Sequence, residues 1–218
     1  MGTALLKQEF AAVLGGTLDW QSKPEPETIE IGVPEIRLPR GCLTEIYGPA
    51  SSGRTTLLYS ILASATGRGE LCALVDADGA FDPESATAAG VDLWKLLWIN
   101  CGNSVENSLR ATDLLVQGGG FGVVAMDLGD AAPQTARRIS LTSWFRLRRA
   151  VENTPTVLVA LARQANAKTC TSLAVECRRE RAAWSGKHPG RLFRGMQVRA
   201  TATERRKACT PVFTAKAI

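Results

Sequence analysis

An alternation of short apolar runs with helix-forming segments between residues 42 and 161 constrains the fold more than any other feature. The apolar runs, which we interpret as strands, lie at 42–47, 71–75, 96–99, 121–126 and 156–161. Helix-forming segments separate them, at 54–66, 82–90, 104–117 and 133–153. Because parallel strands need long crossover connections, this spacing is typical of βαβ units. It predicts an α/β fold with a mostly parallel twisted sheet and helices on both faces.

The pattern changes after Gln164. The segments 172–177 and 196–204 have strand character, and a basic segment rich in turn residues lies between them. We therefore predict antiparallel strands added at the C-terminal edge of the sheet. The predicted organisation is an N-terminal helical arm and connector at 1–40, with the helix at 3–14, then a core domain at 41–206. A C-terminal tail at 207–218, expected to be mobile and able to dock on a partner, completes it.

Charge is distributed unevenly along the chain. Residues 1–136 carry 8 Lys and Arg against 17 Asp and Glu, a net −9, whereas residues 137–218 carry 18 against 4, a net +14. Such a basic surface suits nucleic acid or an acidic protein, and a solvated basic face is the simpler alternative. The arginines of helix 133–153 fit a solvated face beside a core better than a DNA groove. The candidates for phosphate or acidic-protein contact are Arg178, Arg179, Arg181, Lys187, Arg191 and Arg194. Trp184 among them is either an interface anchor or a cover for the sheet edge.

The segment 48–55, GPASSGRT, matches a phosphate-binding loop, Gly-x-x-x-x-Gly-Lys-[Ser/Thr], except at the lysine. It lies between a predicted strand and a predicted helix, as this loop requires. Backbone N–H groups and the helix N-terminus would then converge on phosphate oxygens. Mg-ATP or ADP is the implied ligand, and a glycine-rich turn without a ligand is the alternative. The binding residues would be Gly48, Ser51, Ser52, Gly53, Arg54, Thr55 and Thr56.

Arg54 stands where such loops carry lysine. Arginine keeps the charge but is larger, planar and forked, so the exchange is not neutral. Nucleotide binding can survive this change, whereas the positioning that lowers the barrier to phosphoryl transfer is more fragile. Residues alone therefore leave open whether the chain hydrolyses ATP.

Carboxylates follow two of the predicted strands. Asp127 comes directly after the apolar run that ends at Met126, where it could touch Mg²⁺ through water while Thr55 binds the ion through its hydroxyl. A turn or helix cap is the alternative for Asp127. Asp76, Asp78 and Asp82 follow the strand at 71–75, and any of them could polarise a water. Turn and cap chemistry explains Asp76 and Asp82 at least as well.

Zinc and a membrane location are not expected. The six cysteines form no Cys-x-x-Cys pair, and His188 has no cysteine at ligand spacing, so we expect reduced thiols and no zinc. No stretch approaches 18 consecutive apolar residues, and the N-terminus has no basic leader. We therefore predict a cytoplasmic protein.

Three segments together resemble the core of the bacterial RecA recombinase family: RGCLTEIYGPASSGRTTL, LVDADGAFDP and GVVAMDLGDAAP. They follow the family's order from about residue 30 to residue 164. The resemblance implies a RecA-like P-loop core and places Asp78 at the position of the family's catalytic glutamate. A side chain one methylene shorter can miss a water that must lie within hydrogen-bond reach. Together with Arg54, this predicts weak or no ATP hydrolysis.

The chain also resembles, more narrowly, the ImuA family of RecA-like accessory proteins in SOS mutagenesis. Two segments carry this resemblance, LPRGCLTEIYGPASSGRTTLL and LAVECRRERAAWSG. It implies a scaffold role in error-prone translesion DNA synthesis, on the nucleoid after DNA damage. The implied partners are an ImuB-type adaptor, an error-prone DNA polymerase and RecA filaments. The segments at the family's two DNA-contacting loops are short, so single-stranded DNA contact is expected to be weak. The alternative is a DNA-stimulated ATPase of the RecA superfamily that uses Arg54 in place of lysine.

Overall fold

A mixed sheet organises the chain in a computed structural model that describes residues 27–33, 35–129, 131–186, 189–204 and 208–216. The helix predicted at 3–14 lies outside these residues. The strands are β1 Thr28–Glu30, β2 Arg37–Pro39, β3 Cys42–Tyr47, β4 Cys72–Asp76, β5 Leu96–Asn100, β6 Val123–Asp127, β7 Val157–Ala162, β8 Leu173–Ser185, β9 Leu192–Glu204, β10 Ala208–Cys209 and β11 Val212–Lys216. The helices are α1 Arg54–Gly67, α2 Pro83–Ala88, α3 Val105–Gly118, α4 Pro133–Ala136 and α5 Leu141–Val151, and 3-10 turns cover Leu93–Lys95 and Lys168–Cys170.

Within the described ranges, β3 to β11 form one nine-stranded sheet of order β10-β9-β8-β3-β7-β6-β4-β5, with β11 also paired to β9. The neighbouring pairs β5-β4, β4-β6, β6-β7, β7-β3 and β3-β8 are parallel. In contrast, β9 is antiparallel to β8, and β10 and β11 are antiparallel to β9. The predicted α/β fold with a mostly parallel sheet is confirmed. The expectation that all the added strands are antiparallel is wrong for β8, because the chain crosses β3 after β7 and then runs parallel to it.

Side chains alternate between two cores, one on each face of the sheet. On β7, Val159 and Leu161 pack with α1 on one face, and Leu158 and Ala160 belong to the core on the other face. That second core also holds the buried Trp144 of α5. The period of two along buried strands therefore explains why helices cover both faces.

Polar caps define where the helices begin. Ser104 accepts a hydrogen bond from the N–H of Asn107 at the start of α3. Ser140 accepts one from the N–H of Ser143, 3.1 Å away, and begins α5. The prediction of one helix over 133–153 is therefore wrong: a serine cap offers the backbone an alternative to helix at this point, so α4 and α5 are separate.

The connector before the core is more ordered than its composition predicts. β1 and β2 form a two-stranded antiparallel sheet in which Ile29 faces Leu38. Both side chains are buried in the core on the α1 face. The Ser64 hydroxyl of α1 donates to the Glu30 carbonyl at 2.6 Å and ties this sheet to the helix.

The C-terminal residues continue the sheet. β10 and β11 pair with β9, and Ala215 of β11 is buried in the core on the α1 face. The expectation of a mobile tail is therefore wrong for residues 208–216, because backbone pairing to β9 holds them. Among the residues described here, no helix is long and apolar enough to cross a membrane.

Candidate functional site

The phosphate loop lies where the carboxyl ends of parallel strands meet. It follows β3, and the N–H of Gly48 donates to the carbonyl of Ala162 at the end of β7, 3.3 Å away. β4 and β6 end at the same edge with Asp76 opposite Asp127. Ligands of open α/β sheets bind at this edge, so the fold places the predicted site at a suitable location.

At two positions of the loop only glycine fits, because the backbone there lies close to β8 and β9. Gly53 has φ of +93°, and a Cβ there would lie 2.6 Å from Cγ2 of Val198 on β9. A Cβ at Gly48 would overlap the backbone carbonyl oxygen of Cys177 on β8. The hairpin of β8 and β9 therefore lies directly behind the phosphate loop.

The start of α1 has the features of an anion site. Gly53 is the N-cap and provides no side-chain hydrogen bond to the first turn, where exposed Thr55 and half-buried Thr56 lie. Ser51 has a φ of +56°, a left-handed conformation rare for a residue other than glycine. The hydroxyl oxygen of Ser52 is buried without a hydrogen-bond partner among the described residues. Uncapped helix N–H groups attract phosphate, so this backbone fits the predicted ligand.

The side chain of Arg54 is buried and forms hydrogen bonds within the protein. Its side chain lies among residues that leave it only 7% exposed, and Nη1 and Nη2 each donate to the carbonyl oxygen of Gly129, 3.2 Å away. Arg163 Nε donates to the same carbonyl at 3.1 Å. The N–H of Gly129 donates to Asp127 Oδ1 at 2.7 Å. Gly129 thus holds both the arginine and the candidate metal-binding carboxylate.

A small cavity connects these groups. It has a volume of about 80 Å³, against roughly 300–1,000 Å³ for pockets that enclose drug-sized ligands. Thr55 and Asp127, the two predicted Mg²⁺ contacts, both line it beside Arg54. The cavity therefore suits an ion or a phosphate group, with the rest of a nucleotide outside. The other lining residues are Leu58, Tyr59, Ala80, Phe81, Gly129 and Leu161.

The carboxylates after β4 have structural contacts. Asp76 Oδ1 accepts hydrogen bonds from three successive backbone N–H groups, 78–80, and Oδ2 accepts from the N–H of Phe81 and from Nε1 of Trp98. Asp82 caps α2 by accepting from the N–H groups of Glu84 and Ser85, and these contacts hold its pKa below its usual range, with the Ser85 hydroxyl contributing most. The turn and cap interpretations thus describe Asp76 and Asp82.

Asp78 is half-buried at the start of this loop and is not among the residues that line the described cavity. Its N–H donates to Asp76 Oδ1. Its catalytic role stays a prediction.

The basic segment is a β-hairpin rather than a run of turns. We define the hairpin arm as residues 178–185 of β8 and 192–195 of β9. Arg178, Arg179, Arg181 and Arg194 are exposed on it, and Arg191 is exposed immediately before its second strand. Lys187 lies outside the described residues. The arginine-bearing helix α5 buries Trp144, Leu147 and Val151, which confirms the core interpretation of that helix.

Sequence reasoning missed the groups that surround Arg54 and the phosphate loop. Gly129 acts through its backbone, which no side-chain pattern reveals. Arg163 directly follows β7 at the carboxyl edge, a position that could have suggested a site residue. Val198 and Cys177 lie in apolar strand segments that resemble any other core strand.

Comparison with known proteins agrees with this geometry. Residues 27–137 match the model of the RecA N-terminal domain. The chain is 36% identical over 136 residues to Protein RecA of Rhizobium leguminosarum bv. trifolii (strain WSM2304), covering 56% of this chain and 37% of that protein. It is 47% identical over 90 residues to Protein RecA of Brucella anthropi (strain ATCC 49188), covering 41% of this chain and 25% of that protein. The chain thus matches between a quarter and little more than a third of the length of these relatives.

Among solved structures, the RadB recombinase shares the fold with a TM-score of 0.57 and 16% identity, over 82% of this chain and 87% of that one. The family model covers more than half of the 218 residues and includes the phosphate loop, both carboxylate loops and α1. This chain belongs to the RecA family.

Proposed function

We propose that this protein is a RecA-family accessory protein that acts through protein contacts, with weak or no ATP hydrolysis. The observation that carries the proposal is the placement of Arg54. Its guanidinium is buried and donates from both Nη atoms to the carbonyl of Gly129. The one side chain expected to stabilise charge on the transferred phosphoryl group is therefore already engaged by the protein.

Releasing Arg54 to a nucleotide has an energetic cost. Hydrogen bonds of charged groups contribute about 1.5–3 kcal/mol, and a buried acceptor that loses its donor adds a desolvation penalty. Arg163 also donates to the Gly129 carbonyl, which reduces that penalty but not the loss to Arg54. Phosphoryl transfer depends on groups that are in place before the reaction, so a side chain that must first move is a weaker catalyst.

Nucleotide binding is compatible with the same site. The backbone of 51–55 would hold phosphate oxygens, and Thr55 with Asp127 would hold Mg²⁺, since both line the cavity. The ion, when bound, would neutralise phosphate charge. The nucleotide then acts as a structural ligand that stabilises the loop and is not a substrate for hydrolysis.

The finer role that we propose is in SOS-induced error-prone translesion DNA synthesis. Its support is the likeness of residues 38–58 and 173–186 to the ImuA family, together with the loop features above. The proposed partners are an ImuB-type adaptor, an error-prone polymerase and RecA. The predicted short DNA-contacting segments agree with a role beside DNA-bound proteins rather than as a strand-exchange motor.

Deletion of the gene in its host tests this role. We expect the frequency of DNA-damage-induced mutation to fall while homologous recombination stays at the parental level. Complementation with Asp78→Asn should restore mutagenesis, because the proposal requires no catalysis at the position of the family's catalytic glutamate. Loss of recombination on deletion would contradict the proposal.

A second candidate function is a DNA-stimulated ATPase that uses Arg54 in place of lysine. It is favoured by one observation: Thr55, Asp127 and Arg54 line the same cavity, so the parts of a phosphoryl-transfer site are close together. Phosphate release with and without single-stranded DNA separates the two candidates.

A further inference from the structure

The hairpin arm continues past the end of β3, the strand that precedes the phosphate loop. In the described structure the pairing of β8 with β3 ends at Glu176, and β8 then continues to Ser185 with β9 as its partner. Register shifts near Arg179 and Ala183 interrupt this pairing. Such bulges bend a two-stranded ribbon and change the direction of its side chains.

The tip of the arm presents an apolar cluster. Trp184 lies opposite Phe193 in the register, and their rings pack edge to face with centroids 5.3 Å apart. Trp184 is 53% exposed, Phe193 is 42% exposed, and the adjacent Leu192 is 61% exposed. Exposing a group of apolar side chains to water at the end of a ribbon is unfavourable, so such a group indicates an interaction site.

The charge around this cluster is positive. The two carboxylates on the first strand of the hairpin, Glu176 and Glu180, are paired with Arg178 and Arg199. The exposed arginines nearer the tip, Arg179, Arg181 and Arg191, have no ion pair among the described residues. Arg194 is held at the tip by the hydroxyl of Ser185, 2.6 Å from its Nε. Positive charge is thus available to a partner.

We propose that the tip of the hairpin arm binds an acidic protein segment that also carries apolar side chains. A tryptophan flanked by arginines is the composition of an interface hot spot, and the positive rim selects an acidic partner. Base stacking needs open aromatic faces, whereas here one ring packs its edge on the other and the aliphatic Leu192 lies beside them. These contacts favour protein over nucleic acid. The inference extends the proposed accessory role and would stand even if the phosphate loop hydrolysed ATP.

Selection from a displayed library of 12-residue peptides on the whole protein tests the proposal. Clones should be enriched in Asp and Glu together with Leu, Phe or Trp. The affinity of a selected peptide and of a dT oligonucleotide is then measured by fluorescence anisotropy. We expect tighter binding of the peptide, which weakens as salt rises. Trp184→Ala should weaken it about tenfold or more.

Matched controls come from elsewhere on the chain. Trp94 is 98% exposed in the turn before β5, and Arg110 is an exposed arginine of α3. Trp94→Ala and Arg110→Ala should leave the affinity for the peptide unchanged, whereas Trp184→Ala and Arg181→Ala weaken it. The proposal is overturned if no acidic peptide is enriched, if Trp184→Ala behaves like Trp94→Ala, or if the oligonucleotide binds more tightly than the peptide.

Discussion

The two ends of the β8–β9 hairpin differ in what surrounds them. At the root, Cys177 and Val198 are fully buried and lie behind the phosphate loop. At the tip, Trp184 and Phe193 are about half exposed, and the exposed Arg191 and Arg194 lie within two residues of Phe193 in the sequence. One pair of strands therefore fixes the shape of a ligand loop at one end and presents an interaction surface at the other. Substitutions at the root should change stability, and those at the tip should change binding with little effect on stability.

Among the substitutions that probe the root, Gly48→Ala is expected to have the largest effect on stability. The added methyl group would overlap the Cys177 carbonyl, a backbone atom that cannot move without displacing β8. We expect a loss of about 2–4 kcal/mol in the free energy of unfolding, measured by urea denaturation. Gly67→Ala is the control, since a Cβ there meets nothing within 4 Å, and it should stabilise α1 by up to about 1 kcal/mol. Equal stability of the two variants would contradict the close packing at the root.

Val198→Ala tests the other contact behind the loop. Val198 is fully buried and lies nearest to Gly53. Truncation removes apolar contacts and leaves a cavity, so we expect a loss of about 1.5–3 kcal/mol. Val212 on the neighbouring β11 is 48% exposed, and Val212→Ala should change the unfolding free energy by less than about 0.5 kcal/mol. Similar losses for the two valines would contradict the difference in packing that we describe.

Glu45 of β3, the strand beside the root, makes the stability of the fold depend on pH. This carboxylate of β3 is 1% exposed and accepts hydrogen bonds from the N–H groups of Asn166 and Ala167. Burial raises its pKa above the ordinary value of 4.5, although the two N–H groups act in the opposite direction. The folded state therefore holds its proton to higher pH than the unfolded chain. This group's contribution to stability falls as the pH rises from about 4.5 through the raised pKa.

Glu45→Gln keeps an acceptor for these N–H groups and removes the charge. We expect the variant to be more stable than wild type at pH 7, with an advantage that shrinks as the pH falls through the raised pKa of Glu45 towards 4.5. Urea denaturation across this range measures the difference. An advantage that is the same at pH 4 and pH 7 would show that the charge has no part in it.

Trp184→Ala at the tip is expected to have only a small effect on stability. The side chain is half exposed, and an aromatic pair contributes only about 0.5–1.5 kcal/mol beyond area burial. We expect a loss of under about 1 kcal/mol, against about 3–5 kcal/mol for Trp144→Ala in the buried core. Comparable losses would mean that the tip is part of the folding core, and its assignment as an interaction surface would be wrong.

The sequence predicted those elements that are bounded by turn residues or whose side chains follow a helical period. The bounds of β3 match the prediction residue for residue, since Gly41 and Gly48 flank it. The bounds of α1 differ from the prediction by one residue, since its buried side chains recur at helix spacing. The length of β8 was missed, since beyond Cys177 its side chains are mostly exposed and arginine-rich and show no alternation. The break at Ser140 was missed because a cap and a mid-helix serine look alike in a single sequence.

The site was predictable in part for a similar reason. The positions of Thr55 and Asp127 follow from the order of strand ends, and they line one cavity as the motifs imply. The hydrogen bonds of Arg54 could not be predicted from the sequence. Its acceptor is the backbone carbonyl of Gly129, 75 residues away. Every residue has such a carbonyl, so no residue type marks the acceptor.

Phosphate release from Mg-ATP, with and without single-stranded DNA, tests most directly the claim that Arg54 is held by the protein and does not drive hydrolysis. Wild-type protein should be compared with Arg54→Ala under the same conditions. We predict that turnover is low, does not respond to DNA and is the same in both proteins. DNA-stimulated turnover that disappears in Arg54→Ala would contradict the claim and show that arginine replaces the lysine in a working ATPase.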